Sequence, residues 1–127
     1  MSYFVVETNV AITANGDKTP QADKACIISC IDMLKEIKNN EKFCIDDNGF
    51  IFNEYLTHLD LSGQPGVGDM FMKWVFVYQY NPDKCERVTI TPTKDNKSFE
   101  EFPGDNDLKT FDRSDRKFVA VALKSKN

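Results

Sequence analysis

The chain alternates between short apolar runs and longer segments with helical spacing, and this alternation restricts its fold more than any other feature. Residues 3–6 form a compact apolar run that is typical of a strand buried on both faces. Residues 42–46 and 85–91 are the next two predicted strands. Strands that alternate with helices favour a mostly parallel sheet with helices on its faces. Because 127 residues suffice for one hydrophobic core, we expect a single α/β domain over residues 1–127.

Apolar residues at helical spacing predict four helices: over residues 21–39, after a turn at residues 47–49, from about residue 69, and from about residue 113. Thr19 is the predicted N-cap of the first helix, with Pro20 at its first position. The third helix is apolar over much of its circumference, so we expect neighbouring elements to cover it well.

Polar, glycine-containing segments connect these elements. Residues 63–68 are glycine-rich but lack the Lys-Ser/Thr ending of a phosphate-binding loop, which indicates a helix-to-helix connection. Residues 92–107 are predicted to form a loop held by Phe99 and Phe102. Asp112 follows this loop and suits the N-cap of the last helix.

Composition excludes several classes of protein. No apolar run reaches about 18 residues, so no transmembrane helix is expected. The N-terminus lacks the basic flank and long apolar stretch of a signal peptide. The four cysteines contain no Cys-x-x-Cys pair and His58 is the single histidine, which argues against a zinc site. We therefore expect a reduced, cytoplasmic protein, with no membrane partner, whose cysteines are small core residues.

The net charge of −4 argues weakly against a broad nucleic-acid-binding surface. The C-terminal segment differs, because its basic residues, Arg113, Arg116, Lys117, Lys124 and Lys126, outnumber Asp112 and Asp115. This segment is the predicted phosphate-facing patch, with Arg113, Arg116 and Lys117 as its nucleic-acid-binding residues. A solvated basic helix end is the alternative, and it is the more common role.

Three acidic residues stand at positions where they can meet. Glu7 follows the first strand, at the edge of a parallel sheet where ligands bind. Glu54 interrupts the apolar margin of the second helix, and Asp115 lies in the first turn of the last helix. Asp46 closes the second strand and either makes a turn or reaches the same cleft. Carboxylates brought together require a cation, and two Mg²⁺ ions about 4 Å apart activate a water for phosphodiester cleavage.

Each of these residues also has a structural role that the sequence leaves open. Glu7 can end a strand, and Glu54 can pair with His58 one helical turn later. Asp115 can complete a capping motif begun by Asp112, which stabilises a helix N-terminus by roughly 1 kcal/mol. Taken one at a time, these structural roles are more common than catalysis.

Three segments carry a family resemblance. Residues 4–10 read Phe-Val-Val-Glu-Thr-Asn-Val and resemble the opening motif of PIN-domain nucleases, in which a strand ends in Asp-Thr-Asn-Val. Residues 48–55 look like the second motif, with Glu54 as its acidic residue. Residues 111–122 are similar to the third motif, in which an Asp precedes an Ala-rich helix. Residues 63–68 also look like those of a group of bacterial PIN-like proteins.

The resemblance implies a three-layer α/β/α sandwich with a mostly parallel central sheet. It implies a metal-dependent endoribonuclease of the toxin type that uses Mg²⁺ or Mn²⁺, hydrolyses RNA phosphodiester bonds and has an inhibitory protein partner. The implied catalytic metal ligands are Glu7, Glu54 and Asp115, with Asp112 as an auxiliary carboxylate. The implied supports of the first ligand are Thr8 and Asn9.

Two departures from the family pattern affect these expectations. Glu7 stands where the family has Asp, and one methylene displaces the carboxylate on the 1 Å scale to which sites respond. The family also adds a strand with a fourth acidic residue after the last helix, and residues 1–127 lack an equivalent. An open sheet edge favours pairing with a second copy. The alternative function is a non-catalytic PIN-like module that binds RNA or a protein.

Overall fold

The computed structural model describes residues 2–16 and 23–125. Three strands form one parallel sheet in this part of the chain: β1 (Tyr3–Phe4), β2 (Lys42–Asp46) and β3 (Cys85–Val88), in the order β1-β2-β3. Phe4 lies opposite Phe43, and Phe43 lies opposite Cys85. The prediction of a mixed α/β fold with a parallel sheet is confirmed.

The helices among the described residues are α1 (Thr8–Ala14), α2 (Lys24–Asn40), α3 (Phe50–His58), α4 (Val67–Tyr78) and α5 (Arg116–Lys124). Single 3₁₀ turns lie at Asn106–Leu108 and Arg113–Asp115. Helix α1 is not among the predicted helices, because residues 7–9 indicate only a turn or a cap. Its β-branched residues have low helix propensity. The helix is nevertheless stable because Ala11 and Ala14 are buried where α1 packs against α2 and α4. No helix of residues 2–16 or 23–125 has the length and apolarity that crossing a membrane requires.

Strand β2 forms the centre of the core. Phe43, Cys44 and Ile45 are all buried, because β2 has a strand on each side and helices over its faces. The Phe43 ring lies 4.9 Å from that of Trp74 on α4, centroid to centroid. Tyr55 of α3 is also fully buried. The core therefore joins the sheet to α3 and α4.

Strand β1 differs from its prediction. The sequence predicts burial on both faces, but Tyr3 is only half-buried and Phe4 is 38% exposed. The reason is the strand order, since β1 lies at the edge of the described sheet and pairs with β2 alone. Its burial is completed by the residues that follow it, and Val6 is buried.

Helix α4 is less covered than its composition predicts. Phe71, Met72, Trp74 and Val75 are buried, whereas Met70, Phe76 and Val77 are about half exposed. The prediction of cover on most sides is therefore wrong, since packing against α1 and α2 still leaves these three apolar side chains about half exposed. The helix begins at Val67 because Asp69 accepts a hydrogen bond from the Gly66 N–H at 3.1 Å.

Acidic side chains also cap α2 and α3. Asp23 caps α2 by accepting from the Cys26 N–H at 2.8 Å. The predicted cap at Thr19 and Pro20 lies outside the described residues. The buried Asp46 accepts from the first two N–H groups of α3, at 2.9 and 2.8 Å. Asp46 therefore stabilises the start of α3 and does not reach the cleft.

The segment from β3 to α5 matches its prediction in most respects. Phe102 is buried, and the Phe99 ring packs edge-on against Phe50 of α3, so both phenylalanines hold the loop as predicted. Asp112 accepts from the Ser114 N–H at 2.9 Å, so it is a capping residue, but not of the last helix as predicted. It caps the 3₁₀ turn, so α5 begins three residues later and Asp115 is its N-cap instead of a first-turn residue.

The cysteines divide into two pairs. Cys44 and Cys85 are buried core residues, as predicted. Cys30 is half-buried and Cys26 is exposed, so the prediction of core positions fails for Cys26. The buried residues of α2 are Leu34 and Ile37, because the first turns of this helix extend beyond the core.

Candidate active site

One buried hydrogen bond brings the first two predicted acidic residues together. The Tyr55 hydroxyl donates to the Val6 carbonyl at 2.5 Å, across 49 positions of sequence. Glu54 precedes Tyr55 on α3, and Glu7 follows Val6 after β1. Burial raises the pKa of Tyr55, so the phenol remains a donor. The start of α1 and the middle of α3 are therefore held side by side.

A second contact fixes the Glu54 carboxylate. Thr8, buried at the first position of α1, donates its hydroxyl hydrogen to Oε2 of Glu54. The family resemblance implies that Thr8 supports Glu7, whereas the structure places its hydroxyl on Glu54. The carboxylate of α3 is therefore oriented by the turn that carries Glu7.

These contacts place all the predicted acidic residues around one cavity. It has a volume of about 240 Å³. Its walls come from the β1–α1 junction, from α3 and from the turn before α5, and consist of Glu7, Thr8, Asn9, Ile12, Glu54, His58, Asp112, Ser114 and Asp115. We call it the carboxylate cavity. Three separate parts of the chain thus contribute an acidic side chain to it.

Burial and mutual repulsion raise the pKa of two of these carboxyl groups. The pKa of Glu7 is raised, first by burial and then by the charges of Asp115 and Glu54. The pKa of Asp115 is raised by burial and by Asp112 and Glu54, with the Lys117 ammonium opposing. Hydrogen bonds from Ser114 lower the pKa of Asp112. The side chains are therefore close enough to interact electrostatically.

A basic residue compensates part of this charge. The Lys117 ammonium lies 2.6 Å from Oε1 of Glu54 and also donates to the Ser114 carbonyl. Its side chain is only 13% exposed. The sequence predicts Lys117 as a contact to nucleic acid, and the structure places its charge on a cavity carboxylate. In residues 2–16 and 23–125 this is the single ion pair.

The other two predicted basic residues differ from each other. The Arg116 guanidinium donates to the carbonyls of Lys97, Lys109 and Phe111 at 3.1 to 3.3 Å. It also lies over the Phe102 ring, 5.1 Å from the centroid. Arg113 is exposed. Arg116 therefore organises the preceding loop, while Arg113 faces solvent.

Two further polar residues of the cavity are absent from the predicted set, as is the apolar Ile12. His58 lies one turn after Glu54 on α3, and Ser114 lies between the two aspartates of the 3₁₀ turn. The spacing of four residues from Glu54 is the signal that identifies His58. Ser114 has no such signal, because only the conformation of the turn directs it to the cavity.

The glycine-rich connection is structural. Asp69 is buried and accepts from the N–H groups of Asp60 and Gly66 and from the Asn15 amide. A Cβ on Gly68 would lie 1.9 Å from the carbonyl oxygen of Ala11, so only glycine fits there. These contacts pack α4 against α1. They account for the residues of this connection without a role in phosphate binding.

The donor set of the carboxylate cavity suits a hard divalent cation, because its side chains offer carboxylate oxygens. Within the described parts of the chain, however, no three Asp, Glu, His or Cys side chains converge on one metal position. The carboxylates interact, but they are not arranged at coordination distance, and Lys117 pairs with Glu54. A bound ion would require these side chains to rotate and this pair to separate.

Comparisons with known proteins add no assignment. No family model, no curated protein and no solved structure matches this chain. The function is therefore inferred from the residues of the cavity and from their surroundings.

Proposed function

We propose that this chain is a PIN-like, Mg²⁺- or Mn²⁺-dependent endoribonuclease with a three-layer α/β/α architecture. The observation that supports it is the meeting of Glu7, Glu54, Asp112 and Asp115 around one cavity, from three separate parts of the chain. Capping or strand-ending roles explain each residue singly, but they do not require a shared cavity. Burial and then mutual repulsion raise the pKa of Glu7 and Asp115, and a cation would relieve the repulsion.

In this proposal Glu7, Glu54 and Asp115 hold the metal ion, with Asp112 as an auxiliary carboxylate. A metal ion held there would supply the chemistry of water activation and leaving-group stabilisation. Thr8 orients the Glu54 carboxylate through its hydroxyl.

Cleavage of a labelled single-stranded RNA with Mn²⁺ tests this function. We expect Glu54→Gln to lower the rate by about a hundredfold or more, the range lost when a positioned acid–base or ligand group is removed. Asp32→Asn is the matched control, because Asp32 is an exposed carboxylate on α2. Equal rates for Glu54→Gln and the unmodified chain would assign the cleavage to a contaminant and contradict the proposal.

A second candidate is a non-catalytic PIN-like module that binds RNA or a protein. The Lys117–Glu54 ion pair favours it, since the cavity already contains a cation. Calorimetric titration separates the two functions. Heat of Mn²⁺ binding at millimolar concentration or below, lost in Asp115→Asn, supports the nuclease, whereas no binding supports the module.

The proposed partners follow from the same two candidates. A nuclease of the toxin type would have an inhibitory protein partner, and the proposal also includes association with a second copy of this chain. Mass measurement in solution, with and without Mn²⁺, tests self-association. A monomer at all concentrations would remove the homo-oligomer from the proposal.

A further inference from the structure

A second cavity lies beside the first, and its charge is opposite. It has a volume of about 550 Å³, and its basic side chains are Lys94, Lys97, Lys109, Arg113 and Arg116. We call it the basic cavity. Asp95 is its one acidic lining residue, on a chain whose net charge is −4. Such local clustering of one charge in an acidic chain indicates an anionic ligand.

No ion pair among the described residues neutralises the basic side chains of this cavity. Within residues 2–16 and 23–125, none of its five basic side chains lies within 4.0 Å of a carboxylate oxygen. Asp95 is engaged by the Thr93 hydroxyl and the Lys97 N–H, at 2.6 and 3.0 Å. Lys117, only a few residues away, shows the opposite behaviour because it pairs with Glu54.

One side chain holds the walls of the basic cavity together. Arg116 donates to the Lys97 carbonyl in one wall and to the Lys109 and Phe111 carbonyls in the other. These acceptors are neutral, so the guanidinium keeps its charge. The side chains of Lys94, Lys97 and Lys109 extend from these walls into solvent. Their position is fixed at the backbone, while their ends can adapt to a ligand.

The two cavities share residues 112–116 as a common wall. Asp112, Ser114 and Asp115 line the carboxylate cavity, whereas Arg113 and Arg116 line the basic cavity. The two cavities therefore lie on either side of this turn. A polymer of phosphates could occupy both cavities at once, whereas an isolated phosphate would fill only a part of one.

We propose that the basic cavity binds the phosphodiester backbone of a single-stranded RNA on one side of the position that the carboxylate cavity cleaves. The choice of ligand rests on the proposed function, but the binding itself requires neither metal nor cleavage. Lys94, Lys97, Lys109 and Arg113 contact the phosphates, and Arg116 positions the walls. Contacts of this kind depend on charge and carry no base specificity.

Fluorescence anisotropy with a labelled RNA of about a dozen nucleotides, in EDTA and at low salt, tests this proposal. We expect Lys94→Ala/Lys97→Ala/Lys109→Ala to weaken binding by about tenfold or more, and to reduce the salt slope by about 2, because single strands contribute roughly 0.7 for each contact. The matched control is Lys24→Ala/Lys35→Ala/Lys73→Ala, which removes the same charge from exposed lysines outside the basic cavity. The triple arginine variant Lys94→Arg/Lys97→Arg/Lys109→Arg should retain binding.

Three outcomes would overturn the proposal. Equal weakening by both triple alanine variants would mean that net charge alone acts. No RNA binding by the unmodified chain at low salt, or binding of poly-glutamate in its place, would make the ligand something other than RNA. Because EDTA prevents metal-dependent cleavage, these three outcomes test the basic cavity separately from cleavage. If the unmodified chain binds RNA but shows no Mn²⁺-dependent cleavage, the result contradicts the proposed nuclease alone.

Discussion

The carboxylate cavity and the basic cavity share one wall but are built in opposite ways. In the carboxylate cavity, Glu54 is held by Thr8 and by Lys117, and its α3 neighbour Tyr55 bonds to the backbone beside Glu7. In the basic cavity, Arg116 alone is held by hydrogen bonds, and the other basic side chains end in solvent. Groups that must keep a fixed geometry are fixed, and groups that only need charge are left to adapt. The difference indicates chemistry in one cavity and attraction of the ligand in the other.

The largest expected effect separates the two cavities by function. Glu54→Gln should lower RNA cleavage by about a hundredfold or more, yet leave RNA binding in EDTA within about twofold, because it removes a proposed metal ligand but no basic side chain. Lys94→Ala/Lys97→Ala/Lys109→Ala should weaken binding strongly. Both variants are measured in the RNA cleavage assay and in the RNA binding assay in EDTA. If Glu54→Gln weakened RNA binding as much as the triple variant does, the division of labour would be wrong.

The next effect concerns the stability of the shared wall. Arg116→Ala removes charged hydrogen bonds to three backbone carbonyls, so we expect the free energy of unfolding to fall by about 2 kcal/mol. Urea denaturation measures it. Arg116→Lys keeps the charge but cannot reach three carbonyls from one planar group, so it should recover only part of the loss. Full recovery with lysine would show that charge, and not the guanidinium fork, holds the walls.

A smaller effect tests the role of Lys117. Lys117→Met removes the cation next to Glu54, so Mn²⁺ should bind about tenfold more tightly, the change produced by roughly 1.4 kcal/mol of lost repulsion. Lys97→Met, in the basic cavity, is the control and should leave Mn²⁺ affinity unchanged. Calorimetry measures both. Weaker Mn²⁺ binding in Lys117→Met would mean that the lysine supports the site and does not compete with the ion.

The smallest effect follows from the raised pKa values of Glu7 and Asp115. A carboxyl whose pKa is raised on folding destabilises the folded state above that pKa, and the penalty disappears as pH falls toward the unfolded value, here 3.8 for Asp115. Asp115→Asn should therefore stabilise the metal-free protein at pH 7 by about 0.5 kcal/mol or less, since the group is largely hydrated and screened. The gain should vanish near pH 4.

Thermal unfolding of both proteins between pH 4 and pH 8, in EDTA, measures this difference. Asp95→Asn is a suitable control, because hydrogen bonds lower the pKa of Asp95 and its loss should not stabilise the protein at neutral pH. A destabilised Asp115→Asn at pH 7 would show that Asp115 serves mainly to start α5.

Much of the framework follows from local patterns in the sequence. The parallel sheet, strand β2, the loop held by Phe99 and Phe102, and the cap at Asp112 were all predictable, because each depends on the periodicity or chemistry of neighbouring residues. Helix α1 was not, because its sequence is a poor helix former and only burial against α2 and α4 stabilises it. The exposure of Phe4 depends on strand order, which local patterns do not contain.

The sequence by itself determined which acidic residues are available and in what order, since local rules place Glu7 and Asp115 at element ends and Glu54 on a helix margin. Only the tertiary structure decided that these residues share a cavity, because the bond between Tyr55 and Val6 joins positions far apart in the chain. It also decided that Lys117 pairs with Glu54 while Arg113 faces the other way, into the basic cavity. By charge alone, these basic residues would be equivalent. Their different roles arise because successive residues of a tight turn and helix point to different sides.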